Sequence, residues 1–388
     1  MASTRLKLIG VLAGCAVLSL SGCNGLGGGN TLLMNTDVAG RTAAFPIDDA
    51  AFLKFGYRRD WVGYPALAER ARVVHLGVFE DSIVVQDSAT MTTVLEPATG
   101  ELRWKQQLAT PLTRFFGMGR YPAGAGGAII FAADSEVLGV KPLDGGIILR
   151  QRYEKVINTP PVIRGELALF GTPSGEIMGH SLSLGLKRWG FDTPAAFAQP
   201  LVLMGEVIAG VNRTGEVVFL NAATGSVMSR SRAMFEGPGT APIAAGDVLA
   251  VASADQSIYT FRPGQDRPAR QYRTSAPLRV QPSYDSGVLY CEVEGSLMAF
   301  KMPELTPLWT SKDTRGTAVA LRKDRLLVWD HTGGGTGIGT LVSVDPRRGD
   351  VIDRLELPAV QSLTFDRFRD GTLYIVSKSG LVARFLTN

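Results

Sequence analysis

The chain has 388 residues, a formal net charge of +4, 45 glycines and 21 prolines, which is typical of a globular fold with many turns. Omitting Arg5 and Lys7 of the N-terminal segment lowers the net charge from +4 to +2, so we expect no nucleic-acid partner. The three cysteines and three histidines offer no disulfide framework and no pair spaced to hold a metal ion.

The first 22 residues have the composition of an export signal. Arg5 and Lys7 give a basic start, and residues 8–19 form an apolar run. A run of this length fits the ~7–15 residues of a secretory signal and falls short of the ~20 that a membrane-spanning helix needs. We therefore assign residues 1–22 to a signal peptide.

The segment Leu20-Ser-Gly-Cys23 resembles the bacterial lipobox, whose cysteine is acylated and becomes the mature N-terminus. A second such segment ends at Cys15, but only residues 8–11 would remain as its apolar core, which favours Cys23. An ordinary secretory signal, in which Cys23 has no role, stays open. The expected lipoprotein carries a flexible, glycine-containing tether over residues 23–45, which links the lipid to the fold.

A polar turn recurs along the rest of the chain. The stretch Leu95-Glu-Pro-Ala-Thr-Gly-Glu-Leu-Arg-Trp104 shows its form best. The residues in the glycine position are Gly100, Gly145, Gly185, Gly225, Gly264, Glu304 and Gly349. Spacings of ~40–45 residues are typical of β-propeller blades with four short strands each.

A second position repeats inside the same units and confirms the period. It holds a glycine or glutamine after one apolar run and before another. This pattern predicts two antiparallel strands joined by a hairpin. The residues in this position are Gly175, Gly215, Gln256, Gly295 and Gly380. We therefore predict an all-β fold, a β-propeller over residues 46–388.

The two ends of the chain determine the number of blades. The unit from Leu373 to Phe385 has no outer strand, whereas Phe55 to Trp61 reads as an outer strand without a blade. Pairing these segments would close the ring with strands from both termini and remove exposed sheet edges. The prediction is eight blades of four antiparallel strands, and seven blades remain the alternative.

Residues that could support catalysis are few. Cys291 and His180 occupy apolar repeat positions, so we interpret both as packed core residues, and His75 lies in a β-rich run. The glycine-rich segment 332–340 lacks the Lys-Ser/Thr of a phosphate-binding loop and is interpreted as a surface loop. No catalytic, cofactor-binding or metal-binding residue is predicted, and the protein is not expected to be an enzyme.

One charged cluster stands out at the fifth repeat. It consists of Arg262, Arg267, Arg270 and Arg273. Arginine is enriched in protein interfaces, and loops on a rigid scaffold often carry recognition, so this is our candidate interaction loop. The alternative is a solvated outer edge without function.

The repeat resembles the PQQ-type propeller repeat, in which Thr-Gly is followed by a tryptophan, and the resemblance covers roughly residues 55–388. With its lipobox, the chain is similar to the BamB family of outer-membrane assembly lipoproteins. That resemblance implies an eight-bladed monomeric propeller, lipid-anchored at the outer membrane, facing the periplasm and bound to the barrel-assembly machinery through loops on one face. None of the partner-binding residues of that family can be matched to positions in this sequence.

The function expected from these features is a non-catalytic, membrane-anchored scaffold for protein–protein interaction in the bacterial cell envelope. Two alternatives remain. The first is a sensory or ligand-binding propeller, with a ligand in the central channel. The second is a relative of the PQQ-dependent dehydrogenases, although the chain has no adjacent cysteine pair and no acidic cluster for Ca²⁺.

Overall fold

Antiparallel sheets of four strands dominate the computed structural model, which describes residues 34–122 and 126–388. Residues 1–33, with the predicted signal peptide and Cys23, lie outside the described residues. The compact unit runs from Met34 to Asn388.

Eight sheets follow one another along the chain, and we number them as blades 1 to 8. The strands of blades 1 to 4 are β2 (Val73–Phe79), β3 (Ser82–Asp87), β4 (Met91–Leu95), β5 (Leu102–Gln107); β6 (Phe115–Tyr121), β7 (Ala128–Ala133), β8 (Glu136–Val140), β9 (Ile147–Arg152); β10 (Val162–Arg164), β11 (Leu167–Gly171), β12 (Glu176–Ser181), β13 (Leu186–Asp192); and β14 (Val202–Met204), β15 (Val207–Val211), β16 (Val217–Asn221), β17 (Val227–Ser231).

The remaining four blades have the same order. Their strands are β18 (Ile243–Ala245), β19 (Val248–Ser253), β20 (Ser257–Phe261), β21 (Arg270–Arg273); β22 (Ser283–Asp285), β23 (Val288–Val293), β24 (Ser296–Lys301), β25 (Thr306–Ser311); β26 (Thr317–Arg322), β27 (Arg325–Asp330), β28 (Thr340–Val344), β29 (Val351–Glu356); and β30 (Val360–Phe365), β31 (Leu373–Ser377), β32 (Val382–Thr387) with β1 (Tyr57–Gly63). The predicted all-β propeller of eight blades is confirmed.

Strands from both termini close the ring, as predicted. β1 pairs antiparallel with β32, from Tyr57 opposite Thr387 to Gly63 opposite Val382. Blade 8 therefore takes its outer strand from the N-terminal part of the chain and its three inner strands from the C-terminal part. The Gln361 side chain of blade 8 also donates a hydrogen bond of 2.7 Å to the Val73 carbonyl of blade 1.

The core lies between blades. Successive residues of a strand point to opposite faces of its sheet, so Val84 packs against blade 2 while Ile83 and Val85 pack against blade 8. Among the described residues, eight clusters of buried side chains fill the eight blade–blade interfaces, including that between blades 8 and 1. Because both sheet faces are buried, the second and third strands are mostly apolar.

The repeated turn explains the tryptophans. In blade 1, Gly100 has φ +72°, and a Cβ on it would lie 2.4 Å from the Trp61 indole of blade 8. That indole donates a hydrogen bond of 2.9 Å to the Pro97 carbonyl of the same turn. Trp104 makes the equivalent contacts with Gly145 and Pro142 of blade 2. Each such tryptophan thus joins its outer strand to the turn of the following blade.

The antiparallel order gives the ring two different faces. Hairpins between first and second strands, and between third and fourth strands, lie on one face, which we call the hairpin face. Turns between second and third strands, and the connections between blades, lie on the other, the connection face. The connections from blade 1 onward comprise residues 108–114, 153–161, 193–201, 232–242, 274–282, 312–316, 357–359 and 64–72.

Two short helices precede β1, α1 (Val38–Ala43) and α2 (Asp49–Lys54), and their first turns are capped by Asp37 and Asp48. Arg41 of α1 is buried and donates hydrogen bonds to the carbonyls of Pro65, Ser379 and Gly380. The range 23–45 was expected to be a flexible tether. Its described part, residues 34–45, packs onto blade 8. The carbonyl oxygens there satisfy the donors of Arg41, which allows this charged side chain to be buried.

Candidate interaction surface

A cavity opens on the connection face beside blades 3, 4 and 5. Its volume is about 590 Å³. Two blade connections and two strand turns build it, with the side chains of Ala198, Gln199, Val211, Arg213, Phe235 and Pro238 in its wall. Apolar and polar residues share the lining, and of these Arg213 and Glu236 are exposed. Such a surface offers both apolar burial and charge selection to a binding partner.

Phe235 is the most exposed aromatic residue of this surface. Phe235 is 82% exposed and belongs to the connection between blades 4 and 5. Its backbone N–H donates a hydrogen bond of 3.0 Å to the Asp255 carboxylate. The preceding residue, Met234, is buried. The buried neighbour and the hydrogen bond hold the ring of Phe235 in solvent.

Close backbone contacts hold this connection against the strand turns. Gly239 N–H donates to the Ala252 carbonyl, and Ala254 N–H donates to the Gly237 carbonyl. A Cβ on Gly237 would lie 2.3 Å from the Arg213 carbonyl oxygen, so only glycine allows this approach. The presented surface is therefore fixed by backbone geometry.

A buried carboxylate stabilises the start of the same connection. The Glu216 side chain is 2% exposed and forms ion pairs with Arg230 of β17 and, at 3.2 Å, with Arg232. The Asn212 side chain also donates to Glu216 at 3.3 Å. Because a buried carboxylate needs such partners, Glu216 links the outer strand of blade 4 to the first residue of the connection.

The predicted arginine cluster lies at the outer edge of blade 5. Arg262 and Arg270 line one small cavity of about 90 Å³, together with Glu304 of blade 6, whereas Arg267 and Arg273 are not in its wall. Arg262 and Arg267 lie in the turn before β21, and Arg262 forms an ion pair of 2.9 Å with Asp247. Arg270 and Arg273 are the first and last residues of β21. All but Arg262 are exposed. The cluster as an interaction loop stays a prediction.

The core interpretations of His180 and Cys291 are confirmed. His180 is 2% exposed, and its Nε2 is 2.8 Å from the Gln151 Oε1, while burial lowers the pKa of the imidazole. Cys291 is buried, and burial raises the pKa of its thiol to about 12. The Cys291 thiol therefore stays protonated at neutral pH.

The other singled-out segments also have structural explanations. Residues 331–339 form the loop between β27 and β28, which is mostly exposed, as predicted. The Asp330 carboxylate accepts backbone N–H groups from Thr332, Gly333 and Gly334, and together these hydrogen bonds outweigh burial and lower its pKa. These donors serve a protein carboxylate and are not available to a phosphate.

Within residues 34–122 and 126–388, no group of three or more His, Cys, Asp or Glu side chains is placed to hold a metal ion. The same part of the chain has no helix long and apolar enough to cross a membrane.

Sequence reasoning missed Phe235. The surrounding Met234-Phe-Glu-Gly-Pro238 reads as a turn, and nothing in its pattern shows which of two adjacent apolar residues is buried. The available signal was an aromatic residue within a polar blade connection, since connections on a rigid scaffold carry recognition more often than packing.

The fold and its repeats define the class of protein: an eight-bladed β-propeller built from PQQ-type repeats with tryptophan–glycine contacts between blades. The family model of outer membrane protein assembly factor BamB matches residues 87–231 and 213–386. The chain belongs to this family. No curated protein matches it by sequence.

Solved structures share the fold at low sequence identity. BamB from Moraxella catarrhalis has a TM-score of 0.63 at 16% identity, over 81% of this chain and 94% of that one. The computationally designed Ika8 protein has a TM-score of 0.67 at 13% identity, over 84% and 99%. The C-terminal WD40 domain of Sif2 has a TM-score of 0.63 at 9% identity, over 86% and 98%. At these identities the likeness concerns the fold alone.

Proposed function

We propose that this protein is a non-catalytic scaffold, anchored to a membrane by a lipid on Cys23, that holds a protein partner in the bacterial cell envelope. The partner binds the connection face beside blades 3 to 5. Family membership favours the assembly of outer-membrane proteins as the process that it serves.

The observation that carries the proposal is the exposed ring of Phe235 beside a cavity of about 590 Å³. A solvated aromatic on a fixed connection loses little conformational freedom when it binds, and aromatic residues dominate the energy of protein interfaces. Arg213 and Glu236 at the cavity edge add electrostatic selection of the partner.

The test is quantitative co-purification of envelope proteins after crosslinking. Phe235→Ala is expected to lower partner recovery about tenfold or more, as for a hot-spot aromatic. The matched control is Leu184→Ala, because Leu184 is 58% exposed but lies on the hairpin face. Both variants should melt within about 2 °C of the wild type, since surface substitutions change stability little. Equal recovery with Phe235→Ala and wild type contradicts the proposed surface.

The arginine cluster is tested in the same experiment. Charge reversal of the three exposed members, Arg267→Glu, Arg270→Glu and Arg273→Glu, removes the predicted interaction loop without touching the Phe235 cavity. Loss of the partner in this variant alone would move the docking site to the outer edge of blade 5. Unchanged recovery would make the cluster ordinary solvated surface.

The proposed absence of catalysis rests on the sequence and on the environment of its cysteine. The described chain has no adjacent cysteine pair, and the one thiol in it, Cys291, is buried. Adding pyrroloquinoline quinone and Ca²⁺ to the purified protein is therefore expected to give no alcohol-dependent dye reduction and no thermal shift. Turnover above the level of a heat-denatured control would overturn this part of the proposal.

A further inference from the structure

A second surface on the connection face lies beside the point where the described chain begins, apart from the proposed docking surface. Met34 pairs antiparallel with Ala68 of the connection between blades 8 and 1, and Asn35 N–H donates a hydrogen bond of 2.9 Å to the Leu67 carbonyl. Residues 24–33 separate Met34 from Cys23, and they can span no more than roughly 40 Å. A lipid on Cys23 would therefore keep this part of the propeller close to a membrane.

Two neighbouring connections and the strand turn between them form this surface. They are residues 64–72, residues 108–114 and the turn 88–90 of blade 1, and we call them the blade 1 surface. Ser88 N–H donates a hydrogen bond of 2.9 Å to the Arg72 carbonyl of the first connection. The Thr90 hydroxyl donates one of 2.6 Å to the Ala109 carbonyl of the second. The turn thus holds both connections in place.

Leu112 is the most exposed residue of the blade 1 surface. It is 95% exposed, the largest value among the exposed hydrophobic residues of the described chain. Thr113 N–H donates a hydrogen bond of 2.9 Å to the Thr110 carbonyl, which closes a turn around Leu112. Beside this surface, Val74 at the start of β2 is 42% exposed. A leucine held in water by a closed turn gains free energy on entering an apolar phase and loses little backbone freedom.

The charged groups of the blade 1 surface suit phosphate. Arg70, Arg72 and Arg114 are exposed, and Glu69 is the single acidic residue of the two connections and the turn. Arg70 lies 3.8 Å from Glu69, and the Arg114 guanidinium lies 4.8 Å from the centre of the Phe116 ring. Arginine pairs well with phosphate, since its planar group can donate two parallel hydrogen bonds.

Three more carboxylates lie next to the blade 1 surface, and each is already engaged by hydrogen bonds. The buried Asp87 accepts backbone N–H groups, including that of Ala68 at 2.8 Å. Asp37 caps helix α1, and the half-buried Asp134 accepts the Ser135 hydroxyl at 3.1 Å. The arginines therefore remain the main charged groups that this surface offers to a partner.

We propose that the blade 1 surface rests on the phospholipid bilayer to which Cys23 is anchored. Leu112 and Val74 enter the apolar boundary of the bilayer, and Arg70, Arg72 and Arg114 pair with lipid phosphates. The inference rests on the proposed lipid at Cys23. Blade 5 lies opposite blade 1 in a ring of eight, so the docking surface around Phe235 stays open to a partner beside the membrane.

Photocrosslinking in vesicles of phosphatidylethanolamine and phosphatidylglycerol tests this contact. The chain from Cys23 onward, which contains every described element, is coupled through the Cys23 thiol to a maleimide-bearing phospholipid. The anchor is then present whether or not a cell acylates Cys23, and the buried Cys291 is protected from the reagent.

A photoreactive residue at position 112 should form lipid adducts about fivefold or more above the yield at position 184, because burial in the bilayer favours an apolar group. Position 184 is the matched control, since Leu184 is 58% exposed and lies on the hairpin face. Equal yields at the two positions would overturn the proposal.

Charge reversal tests the orientation. Arg72→Glu combined with Arg114→Glu should lower the lipid adducts at position 112 about fivefold, because carboxylates replace the groups that attract the anionic surface. Arg267→Glu, at the outer edge of blade 5, should leave them unchanged. An unchanged yield in the double variant would contradict the proposed orientation.

The same residue at position 112 in the native envelope separates a bilayer from a protein partner. Lipid adducts support the proposal, whereas a discrete protein crosslink, with no lipid adduct in vesicles, would overturn it. Adducts in vesicles but not in the envelope would support the blade 1 surface and contradict the natural anchor at Cys23. Phe235→Ala should leave the vesicle adducts unchanged, so failure of the docking surface is told apart from failure of this contact.

Discussion

At the scale of single residues, the repeat is defined by a contact between two of its members. A tryptophan on one outer strand lies against the glycine of the following turn, in the pairs Trp61–Gly100, Trp104–Gly145, Trp189–Gly225 and Trp309–Gly349. Glycine is needed there because its φ is positive and because a Cβ would collide with the indole. The repeat period of the sequence thus reflects a packing contact between neighbouring blades.

Two glycine variants separate the cost of backbone strain from that of a steric collision. Gly100→Ala and Gly264→Ala both put alanine at positive φ, which costs about 1–2 kcal/mol. Only Gly100 faces an indole, since nothing lies within 4 Å of a Cβ on Gly264. We expect Gly100→Ala to lower the free energy of unfolding by at least ~1 kcal/mol more than Gly264→Ala. Denaturant titration of both variants measures this, and equal losses would refute the role of the contact.

One residue-scale prediction needs correction. The sequence placed Glu304 in the glycine position of the sixth repeat, but the left-handed residue there is Leu305, with φ +57°. Counted from Leu305, Trp309 has the same spacing as Trp104 from Gly100. A leucine in this conformation could not be found by searching for glycine.

At the scale of elements, the sequence predicted strands well where both faces are buried and helices poorly. Apolar runs such as Leu373 to Val376 mark buried strands, because neighbouring blades cover both sides. Helices α1 and α2 have six residues each, too short for an amphipathic period. The range that contains α1 was therefore interpreted as a tether, and α2 was not predicted within the propeller range. The capping residues Asp37 and Asp48 were the available signal.

The closing strand pair gives a direct test at this scale. Deleting Gly380 to Asn388 removes β32, on which both β1 and β31 depend for hydrogen bonds. It also removes Phe385, whose ring is 4.3 Å from that of Phe52 in α2. Insolubility or loss of cooperative unfolding is expected, because the deletion exposes the unpaired edges of β1 and β31. Circular dichroism melting checks it, and a wild-type melt would contradict closure by both termini.

At the scale of the whole molecule, the residues that stabilise the propeller lie between the blades, apart from the proposed docking surface on the connection face. The eight blade interfaces bury the apolar side chains, and the connections between blades, which differ in length, lie together on one face. The fold could be predicted from the period alone. The docking surface could not, because the exposure of Phe235 depends on how two distant turns meet the connection.

Anchoring at Cys23 remains a prediction for the whole protein. Cys23→Ser should abolish labelling by a fatty-acid analogue and leave precursor or a soluble form, whereas Cys15→Ser should change little. The reason is that only Cys23 follows an apolar run long enough for export. Loss of labelling in Cys15→Ser alone would show that the other lipobox is used. By resemblance to enterobacterial lipoprotein sorting, Asn24 after the cysteine, in place of Asp, favours the outer membrane in a host that has one. Density fractionation checks this expectation.

The most direct test of the central claim is site-specific photocrosslinking in the native envelope. A photoreactive residue at position 235 should form a discrete crosslink to one envelope protein, whereas the same residue at positions 184 and 267, on the hairpin face and the outer edge, should not. Crosslinking at 235 that is competed away by unlabelled protein is the result expected of a docking surface. No crosslink at 235, with a discrete one at either other position, would contradict the account.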